Sequence, residues 1–152
     1  YAKNYGGKDQ ILRYCNVYGP RQPIYGEVGV IAIFTERFIQ NRPLIVFGSG
    51  EHIRDYIYVS DIVDFTLSLI NLSKSHIYNV GRGVPVTVNE LFNVFQEQNS
   101  KAKKPVYKPE RHGEIGNFYA DISYALETGW KWKVTLKEGV SMTISAFKDK
   151  NG

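Results

Sequence analysis

The sequence predicts an α/β fold with a partly irregular lobe, on three observations. Short β-rich apolar runs alternate with segments of helical periodicity. Two Thr-x-x-Glu capping boxes, at Thr87 and Thr135, mark helix starts. Glycine clusters, above all Gly48-Ser49-Gly50 and Gly81-Arg82-Gly83, punctuate the strands. The intervening segments are uneven, and no Gly-x-Gly-x-x-Gly follows an early strand. The pattern is therefore not a complete doubly wound unit.

Residues 1–10 read as the tail of a helix followed by a Gly6-Gly7 turn, with no cap before it. Ile11–Tyr14 reads as a strand running into Cys15–Arg21, and Asn16 falls where a strand gives way to a turn. Open α/β sheets place ligand contacts there, although asparagine also folds back on turn backbones. Residues 23–29 read as loop. Val30–Gln40 is a helix with apolar positions 30, 31, 34, 38 and 39, stopped by Asn41-Arg42-Pro43.

The stretch 44–65, LIVFGSGEHIRDYIYVSDIVDF, organises the chain. Leu44–Phe47 is a strand and Tyr56–Val59 a second, entered just after Arg54. Ser60 or Asp61 can cap the next helix, whose face is expected to hold Ile62, Val63, Thr66, Leu69 and Ile70. Arg54 sits in the densest polar cluster between two buried strands. It binds a ligand, or it forms a structural salt bridge with Asp55 or Asp61. Ile77–Val80 is a further strand. The Thr87 helix shows Val88, Leu91, Phe92 and Phe95 on one side; Val106-Tyr107 is a short edge strand; Asp121 can cap a short helix through Leu126 that halts at Gly129. Trp130 and Trp132 mark a packing surface before the last helix, with Leu136, Val140, Thr143, Ile144 and Phe147 on one side.

At 152 residues the chain is one domain's length, and 43% hydrophobic with 22% charged residues describes a globular protein. No apolar run is long enough to span a membrane, and the first ten residues are not a signal peptide. A single cysteine, Cys15, excludes an internal disulfide and suits a cytoplasmic setting. The histidines, His52, His76 and His112, lack metal-ligand spacing. The net charge of +4 is modest, and its one basic cluster, Lys101 to His112, is either a solvated loop or a phosphate rim. No nucleic-acid-binding module accompanies it, so nucleic acid is not an expected partner. No nucleophile elbow is present, and no tyrosine is followed four residues later by lysine. Asn16, Arg54 and Arg111 do form a scattered set suited to a diphosphate, with Phe47 and Phe118 as apolar walls for a base.

The segments LRYCNVYGPRQ, GVIAIFTERF, PLIVFGSGEHIRDYIYVSDIVD, IYNVGRGVPVTVNEL and RHGEIGNFYADISYALETGWKWKVTLKEGV, in this order, carry a resemblance. Residues 11–147 resemble the C-terminal half of the extended short-chain dehydrogenase/reductase family. Its NAD-dependent members include nucleotide-sugar epimerases and dehydratases, UDP-glucose 4-epimerases among them. The resemblance implies that Asn16 binds the nucleotide phosphates, with Tyr14 beside the nicotinamide. Val30 would contact the nucleotide, Ile45 and Phe47 border the base, and Arg54 and Arg111 clamp the diphosphate. Glu114 takes the place of an acid that holds the ribose, and Phe118 that of a tyrosine near the pocket. Two positions depart: Phe118 lacks the hydroxyl, and Tyr124 stands where the family has lysine.

The implied reaction removes a hydride from the sugar's 4-carbon to NAD and returns it on the other face. A dehydratase or decarboxylase fragment is the alternative within the family, and a non-catalytic nucleotide-sugar-binding lobe the alternative outside it. The glycine fingerprint, the serine or threonine helper and the Tyr-x-x-x-Lys pair are expected upstream of Tyr1. Residues 1–150 would then be a nucleotide-sugar-binding region that includes closing elements of the cofactor domain (about 11–20 and 56–82). Such a fragment is expected to be inactive alone, and its parent to be a homodimer.

Overall fold

The computed structural model describes residues 9–24, 29–70, 75–99, 103–113 and 116–151. The helical tail expected at the start and the acid at Glu114 lie outside them. The strands are β1 (Gln10–Tyr14), β2 (Asn16–Tyr18), β3 (Ile45–Phe47), β4 (Ile53–Arg54), β5 (Tyr56–Tyr58), β6 (His76–Val80), β7 (Val86–Thr87) and β8 (Val106–Lys108). The helices are α1 (Val30–Ile39), α2 (Val59–Ser68), α3 (Val88–Gln98), α4 (Ser123–Glu127) and α5 (Leu136–Asn151). β1 pairs with β6, β2 with β5 and β3 with β8, all parallel, while β4 and β7 pair antiparallel. Parallel partners need crossovers, which is why helices lie between them in sequence. The α/β class expected from the alternation is the one found.

β5 divides the interior. Alternate strand side chains face opposite ways, so Tyr56 and Tyr58 enter one core while Ile57 enters the other. The first core gathers Phe34 of α1, Phe95 of α3 and Val140 of α5. The second gathers Phe65 of α2, Tyr78 of β6 and Trp130. Both capping boxes form: Thr87 Oγ1 accepts from Glu90 N, and Glu138 Oε2 accepts from Thr135 N at 2.9 Å.

Three local expectations are corrected. Asn16 does not end a strand; it begins β2, with Tyr56 opposite, after a break at Cys15. Asp61 is not the cap of α2, which starts at Val59 without a side-chain cap. Instead its buried carboxylate accepts from Lys133 N at 3.0 Å and Val134 N at 3.1 Å, fastening the segment before α5. The buried face of α2 is accordingly Asp61, Ile62, Phe65 and Leu69, while Val63, Thr66 and Ile70 are exposed. Both readings keep helical spacing; tertiary bonds to Asp61 choose the rotation.

Gly139 sits inside α5, where alanine would ordinarily stabilise a helix by close to a kilocalorie per mole. Here a Cβ would run into the Tyr18 hydroxyl and lie 3.0 Å from Tyr58 Cδ2. Tyr18 is buried and donates to Leu136 O, so it has little room to yield. Gly139→Ala is therefore expected to destabilise the fold by about 1–3 kcal/mol in urea unfolding. A stabilised variant would show that the tyrosine moves freely.

Cys15 is buried between β1 and β2. Burial, reinforced by neighbouring Asp55, pushes its thiol from 9.0 up to about 12. The folded thiol keeps its proton where the unfolded one loses it, so stability falls as pH rises from 9.0 towards about 12. At pH 8 the native chain should react with iodoacetamide only as fast as it opens, and at once in urea. Rapid native labelling would contradict this burial.

Candidate functional site: a cationic cleft beside α1

Between α1 and the strands β3 and β4 lies a cleft of about 340 Å³. α1 presents Val30, Ile33, Phe34 and Arg37 to it, the i, i+3, i+4, i+7 set that shares one helical face. β3 contributes Ile45 and Phe47, two residues apart and so on one side of the strand. β2 contributes Asn16, and β4 contributes Arg54. Arg111 enters from the segment after β8, brought close by the parallel pairing of β3 with β8.

The two arginines arrive from elements far apart in sequence. Arg54 Nη1 donates to Ile53 O at 2.8 Å and to Gly116 O at 2.6 Å, which fixes the side chain's direction. Arg111 lies over the Phe47 ring, its guanidinium carbon 3.8 Å from the centroid, a cation–π contact. Next to Arg54, Asp55 is fully buried; its carboxylate accepts from Arg82 N and Gly83 N at 2.9 Å each. That ties the β4–β5 junction, and so Arg54, to the loop after β6.

Two buried polar atoms on the cleft wall have no protein partner among the described residues: Gln22 Oε1 and Tyr56 Oη. Burial raises the Tyr56 hydroxyl above its ordinary value, with Arg54 pulling the other way, so it stays protonated and able to donate. An unmade hydrogen bond at a buried site costs about 1–3 kcal/mol, which a polar ligand would recover. His52, also on the wall, places Nε2 3.0 Å from Glu110 Oε1.

Of the residues singled out in the sequence, Asn16, Val30, Ile45, Phe47, Arg54 and Arg111 come together here. Phe118 does not line the cleft; the residue is 46% exposed, while its N–H donates to Ile53 O. Tyr14 ends β1, half-exposed and off the cleft. Tyr124 packs edge-on against His76. Gln22, Arg37 and Tyr56 were missed. Arg37 alone carried a usable signal, as a charge within an otherwise apolar helical set.

The residues present do not make up a complete dinucleotide site by themselves. The chain has no glycine fingerprint to cradle a pyrophosphate against a helix start, and Tyr14 offers one exposed ring. Among the described residues no cluster of three or more His, Cys, Asp or Glu side chains could hold a metal. No helix among them is long and apolar enough to cross a membrane.

An α/β scaffold whose cleft joins two arginines to an apolar trough has side chains suited to a ligand with one anionic and one apolar part. The family model of the NAD dependent epimerase/dehydratase family matches residues 1–81, and the chain belongs to that family. It is 39% identical over 151 residues to a putative UDP-glucose 4-epimerase of Methanocaldococcus jannaschii, covering 99% of this chain and 49% of that one. It superposes with a TM-score of 0.93, at 43% identity, on the crystal structure of UDP-glucose 4-epimerase with UDP-glucose from Thermotoga maritima, covering 99% of this chain and 49% of that chain. UDP-glucuronic acid decarboxylase 1 of Arabidopsis thaliana is 29% identical, over 99% of this chain and 34% of that protein. The chain thus spans about half, or less, of the length of these relatives.

Proposed function

We propose that this chain is the nucleotide-sugar-binding part of an NAD-dependent nucleotide-sugar epimerase of the UDP-glucose 4-epimerase type. The observation that carries the proposal is the convergence of Arg54 and Arg111 with Asn16 on one cleft that also holds unsatisfied polar atoms. In this reading the two guanidiniums neutralise the diphosphate and Asn16 donates an amide N–H to it. Ile45 and Phe47 border the base, and Val30 meets the nucleotide at the start of α1. Glu114, Phe118 and Tyr14 belong to the same proposal as ribose, pocket-edge and nicotinamide contacts. NAD, when bound by the whole enzyme, supplies the hydride acceptor. This chain's residues bind and orient the sugar nucleotide and keep its charged part shielded.

Residues 1–150 then act as one substrate-binding region that includes closing elements of the cofactor domain, and the chain alone does not turn over. A decarboxylating or dehydrating parent is the second reading, favoured by the likeness to the plant decarboxylase. Both begin by oxidising the same sugar carbon, so product analysis of the full-length parent separates them. Calorimetric titration of this chain with UDP-glucose, beside a single-stranded oligonucleotide, tests the binding proposal. Saturable UDP-glucose binding without oligonucleotide binding is expected; the reverse would overturn it.

A further inference from the structure

The segment that carries Arg111 is held to the cleft by few bonds. Gly48 N donates to Lys108 O at 2.9 Å, where β8 ends. Beyond it, among the described residues, the polar and ring partners of residues 109–112 reduce to Arg111 over the Phe47 ring and Glu110 with His52. His52 Nε2 stands 3.0 Å from Glu110 Oε1. The Glu110 stem rests on the turn at Gly48, its Cβ 3.6 Å from where a side chain there would begin. His52 itself lines the cleft, two residues before Arg54. The pair therefore ties the segment of one arginine to that of the other. The remaining charges around it are accounted for. Arg37, Arg54 and Arg111 share the cleft wall with His52. Its neighbour Glu51 accepts from Asn89 Nδ2 at 2.6 Å, and Asp55 is buried against Arg82 N and Gly83 N. The Tyr56 hydroxyl keeps its proton, and His112 is exposed beside Arg111.

We infer that the His52–Glu110 pair is a pH-dependent latch that positions Arg111 on the cleft, so that affinity for an anionic ligand rises as histidine gains its proton; this rests on the nucleotide-sugar reading of the cleft. Histidine changes charge between about pH 5 and 8, where a solvated glutamate stays ionised. Protonated, His52 makes a charge-assisted bond to Glu110 and holds the Arg111 segment against β3. Deprotonated, it offers at most a neutral hydrogen bond. The Glu110 carboxylate, next to Arg111 in the chain, is then uncompensated and opposes an incoming anion. Both consequences weaken binding as pH rises. Acidification into the carboxylate range protonates Glu110 and releases the latch, so affinity passes through a maximum. His52 and Glu110 are positioning residues, acting through Arg111.

The test titrates the 152-residue chain with UDP-glucose by calorimetry from about pH 5.5 to about pH 8.5, across the histidine range. The diphosphate of UDP-glucose is a diester and keeps its charge throughout. Native affinity should be about fivefold higher at the acid end, the upper range for a partly exposed ion pair. Glu110→Gln separates the latch from charge alone. It removes an acid near an anionic ligand, so charge alone predicts tighter binding at every pH. Loss of the latch predicts binding about fivefold weaker at the acid end, with a flatter profile. A ligand-free readout accompanies it. The Arg111 amide resonance should titrate with the His52 imidazole in the native chain and in His112→Gln, and should not in His52→Gln. An Arg111 amide indifferent to His52, tighter binding by Glu110→Gln, or a native affinity independent of pH would overturn the latch alone. Absence of UDP-glucose binding at every pH, with the Arg111 titration intact, would instead overturn the nucleotide-sugar reading on which the affinity claim rests.

Discussion

Asp55→Ala is expected to lower the unfolding free energy by about 3–5 kcal/mol, the largest single-residue effect anticipated for this chain. The carboxylate is fully buried at the junction of β4 and β5 and accepts two backbone N–H groups, from Arg82 and Gly83. Alanine strands both donors away from water, at about 1–3 kcal/mol each, and opens a cavity beside Cys15. The surroundings cannot collapse to fill it with backbone: Gly81 packs so close that even a Cβ there would meet Asp55 and the Cys15 sulfur. Asparagine keeps one acceptor but turns an amide N–H towards a backbone N–H, so Asp55→Asn should fall between alanine and the native chain. Urea denaturation measures both, and a loss below 1 kcal/mol for alanine would show that the loop after β6 finds other partners. The consequence reaches the cleft, since the same loop holds the strand that carries Arg54.

Arg54→Met should weaken UDP-glucose binding by about 10- to 100-fold, the value of a charge-assisted bond to a phosphate. Arg111→Met should weaken it less, because Arg111 is exposed and also gives up its contact with the Phe47 ring. The double variant should lose less than the product of the two factors, since both guanidiniums face one diphosphate. Uridine, which lacks phosphate, should bind all variants alike. That comparison separates loss of the clamp from loss of the bonds that Arg54 makes to Ile53 O and Gly116 O. Equal losses for uridine and UDP-glucose would assign Arg54 a structural role. Calorimetry at two salt concentrations adds a check: clamp affinity should fall with ionic strength in the native chain and fall less in the double variant.

The parts of the fold that local rules decide were legible from residues alone. Thr87 with Glu90 and Thr135 with Glu138 form the two capping boxes that their spacing demands, and the apolar runs around Val46 and Ile57 are strands. Decisions made by distant partners were not legible. Asp61 has the chemistry of a helix cap, yet it is claimed by Lys133 N and Val134 N, more than seventy residues away. The two-residue strand β4 exists only because β7 pairs with it, and nothing in Ile53-Arg54 announces that.

The site divides in the same way. Arg54 and Arg111 were legible as candidates for one site because arginine between strands is chemically conspicuous and the resemblance to a nucleotide-sugar family joined them, and both line the cleft. Phe118 was expected as a wall and is instead half-exposed outside the cleft, where its backbone N–H rather than its ring is engaged. Tyr56 reads as an ordinary strand residue; only burial of its hydroxyl without a partner on the cleft wall sets it apart. Arg37 carried a partial signal, as a charge beside Glu36 on an otherwise mostly apolar helix, and only the cleft shows which face it occupies.

Amide chemical-shift mapping during a UDP-glucose titration tests most directly whether the cleft beside α1 holds a nucleotide sugar, as proposed. Saturable shifts should centre on Asn16, Val30, Phe47, His52 and Arg54, with little change at Ile11 and Ile77 on the exposed face of β1 and β6. Shifts centred on that exposed face, or none at saturating ligand, would contradict it.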